Sequence, residues 1–270
     1  MKKSFFVIFA VFMCASCSQY ERLRKSSNYA LKYKKAIEYY NGGDYVRAGQ
    51  LLDEIVAIFR GTNKADTVAY YQAMSHFKQK DYLNASHYFS MHYKNTPMSP
   101  FAEECEFLTG YCYYRQSPRP ELDQDMTAAA IEIFDLFLRH YPTSQYKEDA
   151  LKYFVEMQDK LVDKSYLSAK LYYNLSLYKS SIVALNNSLN DYPDTKHREE
   201  LMFLLLKSSY LLAENSVEGK QKERYQATVD EYYSFIGEFP QSGYAKEAQR
   251  MYEHADTYLK VRNNPDEDDN

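Results

Sequence analysis

The chain has 270 residues, 45% of them hydrophobic, with 8 glycines and 8 prolines. That is enough apolar matter to bury a core and few turn residues for a sheet-rich fold. The formal charge is −4, and removal of residues 1–16 leaves 31 Lys and Arg against 37 Asp and Glu, which argues against a nucleic-acid partner.

The first residues read as a targeting signal. Lys2 and Lys3 precede a short apolar run, Phe5 to Met13, too short to span a bilayer. Cys14-Ala15-Ser16-Cys17 follows. Small residues before a cysteine are the pattern at which bacterial lipoproteins are cleaved and acylated. Cys17 fits it, because Ala15 and Ser16 precede it, whereas bulky Phe12 and Met13 precede Cys14. Cys14 stands where that pattern normally has leucine, and an ordinary secretory signal is the alternative. The expected layout is a signal peptide over 1–16, a lipidated tether over 17–28, a helical domain over 29–260 and an acidic disordered tail over 261–270. Acylation would hold the chain at a membrane surface.

From residue 29 onward the chain repeats one punctuation mark. Pro97-Met98-Ser99, Pro142-Thr143-Ser144, Pro193-Asp194-Thr195 and Pro240-Gln241-Ser242 each place a hydroxyl two residues after a proline. Proline stops one helix; the hydroxyl is suited to N-cap the next. Eight residues before these prolines stand Phe89, Phe134, Leu185 and Tyr232, and four residues earlier Ala85, Ala130, Ser181 and Thr228. Leu52 and Ala48 keep the same register before Thr62. This is the second helix of a tetratricopeptide (TPR) repeat. First helices match too: Ala36, Tyr39, Gly43 and Tyr45 lead to Ala48, the segment from Ala73 to Ala85 repeats them, and Gly110 begins a third copy.

Residues 145 to about 174 read as helical, with Ala150, Phe154, Met157 and Leu161 on one stripe. A break is expected near Asp163-Lys164, with a fourth pair over about 165–192, a fifth over 198–239 and a capping helix over about 243–260. The marks at 62, 99, 144, 195 and 242 are wider apart than the 34-residue unit. The excess is assigned to insertions at 116–126 and 215–223. The expected fold is all-α: one continuous α-solenoid of five TPR helix pairs with a C-terminal capping helix. Cys105 and Cys112 lie two turns apart on one helix, about 10 Å, too far for a disulfide.

No reaction chemistry stands out. Ser75 and Lys78 match S-x-x-K but lack the companion motifs of that enzyme class. His87 and His92 share no helix face, and Asp123 and Asp125 lack the rest of a calcium loop. Neither an enzyme, a cofactor nor a metal is expected. A TPR stack binds instead, through a concave face lined by first helices. By register that face holds Tyr33, Ile37, Tyr40, Tyr70, Met74, Phe77, Phe107, Tyr111, Tyr114 and Arg115, a groove suited to an extended apolar or aromatic peptide. The bland alternative is that half of these are buried between repeats. Lys34 and Tyr71 stand where a carboxylate-clamp TPR needs asparagine, which disfavours that subtype.

A lipidated cysteine followed by five TPRs, together with the stretch 139–195 from "RHYPTSQY" to "LNDYPDT" and the insert "RPELDQD" at 119–125, resembles the BamD family of the outer-membrane β-barrel assembly machinery. The resemblance covers about 29–260. It implies a non-catalytic, lipid-anchored protein on the periplasmic face of the outer membrane. It implies docking on a BamA-like barrel protein through the C-terminal repeats. It also implies capture of the C-terminal segments of unfolded outer-membrane proteins through the N-terminal repeats. A TPR adaptor of another envelope complex, serving cell wall or division, is the alternative.

Overall fold

A computed structural model describes residues 19–263. The signal, Cys17 and the tail beyond Asn263 lie outside the described residues. Among the described residues there are twelve helices and no strand. They are α1 (19–25), α2 (Tyr29–Asn41), α3 (Tyr45–Ile55), α4 (Ala65–Lys78), α5 (Tyr82–Asn95), α6 (Ala102–Gln116), α7 (Asp125–His140), α8 (Lys147–Asn174), α9 (Tyr178–Asp191), α10 (Arg198–Glu214), α11 (Glu218–Glu238) and α12 (Ala245–Asn263). This is the all-α, TPR-like solenoid architecture: five pairs, α2–α3 to α10–α11, and a last helix.

Inside the early pairs the chain reverses over a left-handed residue, Gly43 at φ 82° and Lys80 at φ 63°. An aspartate then caps the second helix: Asp44 accepts from the Arg47 N–H and Asp81 from that of Asn84. Glutamine clips join neighbouring pairs. The amide of Gln79 donates to the Tyr45 carbonyl at 3.0 Å, and that of Gln116 to the Tyr82 carbonyl at 3.2 Å. Each clip spans 34 residues, as do Tyr70 to Glu104 and Tyr166 to Glu200. A fixed separation of 34 thus recurs in contacts between one helix pair and the next, although the spacing of the proline marks is uneven.

The hydroxyl of each mark does not cap the following helix as expected. Helices begin three residues later, at Ala65, Ala102, Lys147, Arg198 and Ala245. Instead the hydroxyl oxygen accepts from the N–H two residues on: Lys64 to Thr62, Phe101 to Ser99, Tyr146 to Ser144, His197 to Thr195 and Tyr244 to Ser242, at 2.9–3.3 Å. This lead-in turn aims residue 64, 101, 146, 197 or 244 back at the previous pair. Phe101 stacks on Tyr70 at 4.1 Å, Tyr146 on Phe107 at 4.6 Å, His197 on Tyr166 at 3.9 Å and Tyr244 on Phe203 at 4.2 Å. In the first copy the Lys64 ammonium lies 4.9 Å from the Tyr33 ring centre. Such ring contacts add about 0.5–1.5 kcal/mol each beyond the area they bury.

Three expectations are revised. α8 runs unbroken through Asp163 and Lys164, because no glycine or proline stands between 147 and 174 to stop it. The second insertion shrinks to 215–217, since residues from Glu218 onward already belong to α11. And part of the expected tether, 19–25, is a helix packed on the first pair. Tyr20 is 6% exposed and donates to Gln50 at 2.7 Å. Arg24 and the buried Lys32 both reach the Glu54 carboxylate, at 2.9 and 2.7 Å. Burial alone would raise the Glu54 pKa, but these two hydrogen bonds outweigh it and hold it below the usual carboxylate value.

Where one continuous domain is expected, the packing divides into two compact units. The first comprises residues 19–118 and 124–157, the second 119–123 and 158–263. The first is cored by Phe89, Phe134, Phe137 and Met157, with Cys105 and Cys112 as small, free and buried neighbours. Gly110 sits where α6 meets α7; a Cβ there would come within 2.8 Å of the Phe134 ring. The second unit is cored by Leu185, Leu201, Leu205, Leu206 and Phe235.

Candidate peptide-binding face

The first helices of the first unit present three ranks of side chains, each rank repeating every 37 positions. The leading rank, Tyr33, Tyr70 and Phe107, is the set of joint rings covered by the next lead-in turn. Tyr70 also donates its hydroxyl to Glu104 at 2.8 Å. Burial, then that carboxylate, push its pKa far up, so it stays a neutral donor. These three hold repeats together, and Phe107 is 7% exposed.

One turn on come Ile37, Met74 and Tyr111. Met74 is buried at 7% in the same core as Phe89, so of the ten residues expected to line a groove, Met74 and Phe107 belong to the interior. Ile37 and Tyr111 are half-buried. The third rank is Tyr40, Phe77 and Tyr114, all half-buried. Tyr40 meets Tyr71 edge-on at 4.8 Å. Phe77 and Tyr111 approach to 5.9 Å, and Tyr111 and Tyr114 to 5.9 Å. Tyr153 of α8 closes on Tyr114 at 4.4 Å. Burial pushes the phenols of Tyr40 and Tyr114 up to about 12. The Tyr114 hydroxyl donates to Glu156 at 2.8 Å.

Arg115 is the exposed member of the set. Its guanidinium donates to the Tyr111 hydroxyl at 3.1 Å and lies 5.0 Å from the Tyr82 ring centre. The accessible face therefore narrows to Ile37, Tyr40, Phe77, Tyr111 and Tyr114, with one cation at its end. Half-buried rings offer flat apolar contact at little entropic cost.

The equivalent ranks of the second unit follow from its joint rings. Tyr166, Lys170 and Tyr173 form one set; Phe203, Lys207 and Tyr210 form the other. Lys170 donates to Glu200 and to the Tyr166 hydroxyl, both at 2.7 Å, and Lys207 pairs with Glu247 at 2.7 Å. Here the middle rank is charged. Elsewhere in this unit, Leu171, Tyr172, Leu175 and Leu177 crowd the turn between α8 and α9 at 41–58% exposure. Four large apolar residues exposed within seven positions is the kind of patch that marks a protein contact. Sequence periodicity missed it, because the segment reads as an ordinary helix end.

The chemical candidates resolve into structure. Ser75 is fully buried and donates its hydroxyl to the Tyr71 carbonyl at 2.7 Å. His92 is buried with its Nε2 2.8 Å from the Asp66 carboxylate, while His87 packs on Tyr88. Among the described residues no three metal-ligating side chains converge. Burial drives the Cys105 thiol up, and that of Cys112 to about 12, which makes both poor nucleophiles. A family model described as YfiO, an outer membrane lipoprotein, matches residues 26–225.

Proposed function

Because the chain belongs to the YfiO family of outer membrane lipoproteins, we propose that it is a non-catalytic receptor and scaffold for β-barrel assembly, anchored through lipid on Cys17 and facing the periplasm. The first unit receives the C-terminal segments of unfolded outer-membrane proteins. Such segments alternate apolar residues and end in an aromatic one, which matches a face of half-buried tyrosines with one terminal cation. The second unit docks a BamA-like barrel protein. Its exposed Leu171, Tyr172, Leu175 and Leu177 are the surface assigned to that contact.

The observation that carries the reading is the apolar middle rank, Ile37 and Tyr111, present in the first unit and replaced by paired lysines in the second. The test is a pull-down of the full chain from membranes in mild detergent, with partners identified by mass. A stoichiometric BamA-like barrel is the expected companion, lost in a Leu175→Asp, Leu177→Asp variant that keeps its helical circular dichroism. A cell-wall or division complex in its place, with a normal complement of barrel proteins after depletion, would replace this reading with the envelope-adaptor one.

A further inference from the structure

The α1–α2 end of the first unit concentrates positive charge. Residues 19–38 hold six Lys and Arg against two Glu, whereas residues 39–270 hold 25 against 35. Lys32 and Arg24 are engaged by Glu54, and Lys35 by Glu38 at 2.6 Å. Arg22, Lys25 and Lys34 are exposed and make no ion pair among the described residues. Beside them a cleft of about 420 Å³ opens between α1 and α2, with Arg22 and Lys35 on its walls together with Leu23, Leu31, Glu38 and Tyr39. Leu31 and Tyr29 are 40% and 39% exposed. Cations, a cleft and exposed apolar side chains thus share the α1–α2 end of the first unit.

Chain geometry fixes what this end faces if Cys17 is acylated, a point on which the inference rests. Two peptide steps separate Cys17 from Gln19, at most about 7 Å. The described turns of α1 add about 10 Å. α1 is itself clamped to the first pair by Tyr20 and Glu54. No slack remains to lift the basic end beyond about two screening lengths from the bilayer.

We propose that the α1–α2 end is a docking surface for anionic phospholipid headgroups, with Arg22, Lys25 and Lys34 facing the phosphates and Tyr29 and Leu31 at headgroup depth. The acyl chains supply attachment; the basic surface supplies orientation, since a lone anchor leaves the protein free to tumble about it. Cations near an anionic leaflet are each attracted enough to matter, and salt weakens the effect.

The full acylated protein is to be placed in phosphatidylethanolamine vesicles containing about a quarter phosphatidylglycerol, or the same fraction of phosphatidylcholine. Amide hydrogen exchange is followed over 19–41, with 245–263 as internal reference, and the N-terminal peptide is weighed. The expected result is acyl mass on Cys17 and exchange over 19–41 slowed on the order of tenfold in the anionic vesicles alone. High salt and an Arg22→Glu, Lys25→Glu, Lys34→Glu variant should each abolish the difference. Acylated protein with equal exchange in both vesicles overturns the headgroup surface and leaves the lipoprotein reading standing. Absence of acyl mass overturns both.

Discussion

One turn beyond the joint rings, the first unit places Ile37, Met74 and Tyr111, and the second places Lys170 and Lys207. The joints themselves are alike: Tyr70 on Phe101 and Phe107 on Tyr146 in one, Tyr166 on His197 and Phe203 on Tyr244 in the other. Tyr70 and Tyr166 even make the same bond to a glutamate 34 positions on. The scaffold is therefore held constant while the rank beside it is varied. In the second unit the lysines are occupied by Glu200 and Glu247, so an apolar ligand there would have to strip water from ion pairs. In the first unit no such cost arises.

The largest way to break this comparison is to destroy one scaffold. Phe134 is fully buried and is touched by the rings of Phe107 and Tyr153. Phe134→Ala should cost about 3–5 kcal/mol and abolish exchange protection in α6 and α7 while α10 and α11 keep theirs. Simultaneous loss in all four helices would show that the two units unfold as one.

A smaller change transplants the middle rank. Ile37→Lys with Tyr111→Lys gives the first unit the chemistry of the second. Affinity for a peptide of alternating apolar residues ending in phenylalanine should fall at least about tenfold, with the helical circular dichroism retained and thermal stability lowered by the lost Tyr111 ring contacts. The reciprocal Lys170→Met, Lys207→Met pair should not weaken that binding. Equal affinity in all three proteins would remove the receptor face from the proposed function.

The smallest effect concerns acid. Burial would raise the Glu200 pKa, but hydrogen bonds from Lys170 and Tyr166 outweigh it and leave it lowered. A depressed carboxylate stabilises the fold fully above its unfolded pKa of about 4.3, and that contribution disappears as pH falls through the lower folded value. The pair is partly exposed, so the loss should be under about 1 kcal/mol. Melting temperature should fall between about pH 4.5 and 3, and Lys170→Met should make that fall shallower.

Much of the fold was legible. The Pro-x-hydroxyl marks located the ends of four of the five pairs, because proline and a hydroxyl do local work that local sequence must spell out. The joints were not legible. Their second members are Lys64, Phe101, Tyr146, His197 and Tyr244, chemically unlike, and they lie 31 to 41 residues from their partners with insertions in between. The same blindness promoted Phe107 and Met74 to groove residues: helix register says which side a residue takes, and it says nothing of how closely the next repeat covers it. The break at Asp163 failed for the opposite reason, a repeat template imposed on a segment with no residue able to stop a helix.

Every joint points forward along the chain. The ring on a first helix waits for a partner that has yet to follow, Tyr33 for Lys64 and Phe203 for Tyr244, and none waits for a residue upstream. A chain delivered N-terminus first can thus complete each repeat after some 30 to 40 further residues have emerged, without holding a distant strand open. It also means that a chain cut short between a joint ring and its partner leaves that ring uncovered at its end, an apolar flag by which such an unfinished molecule differs from a finished one.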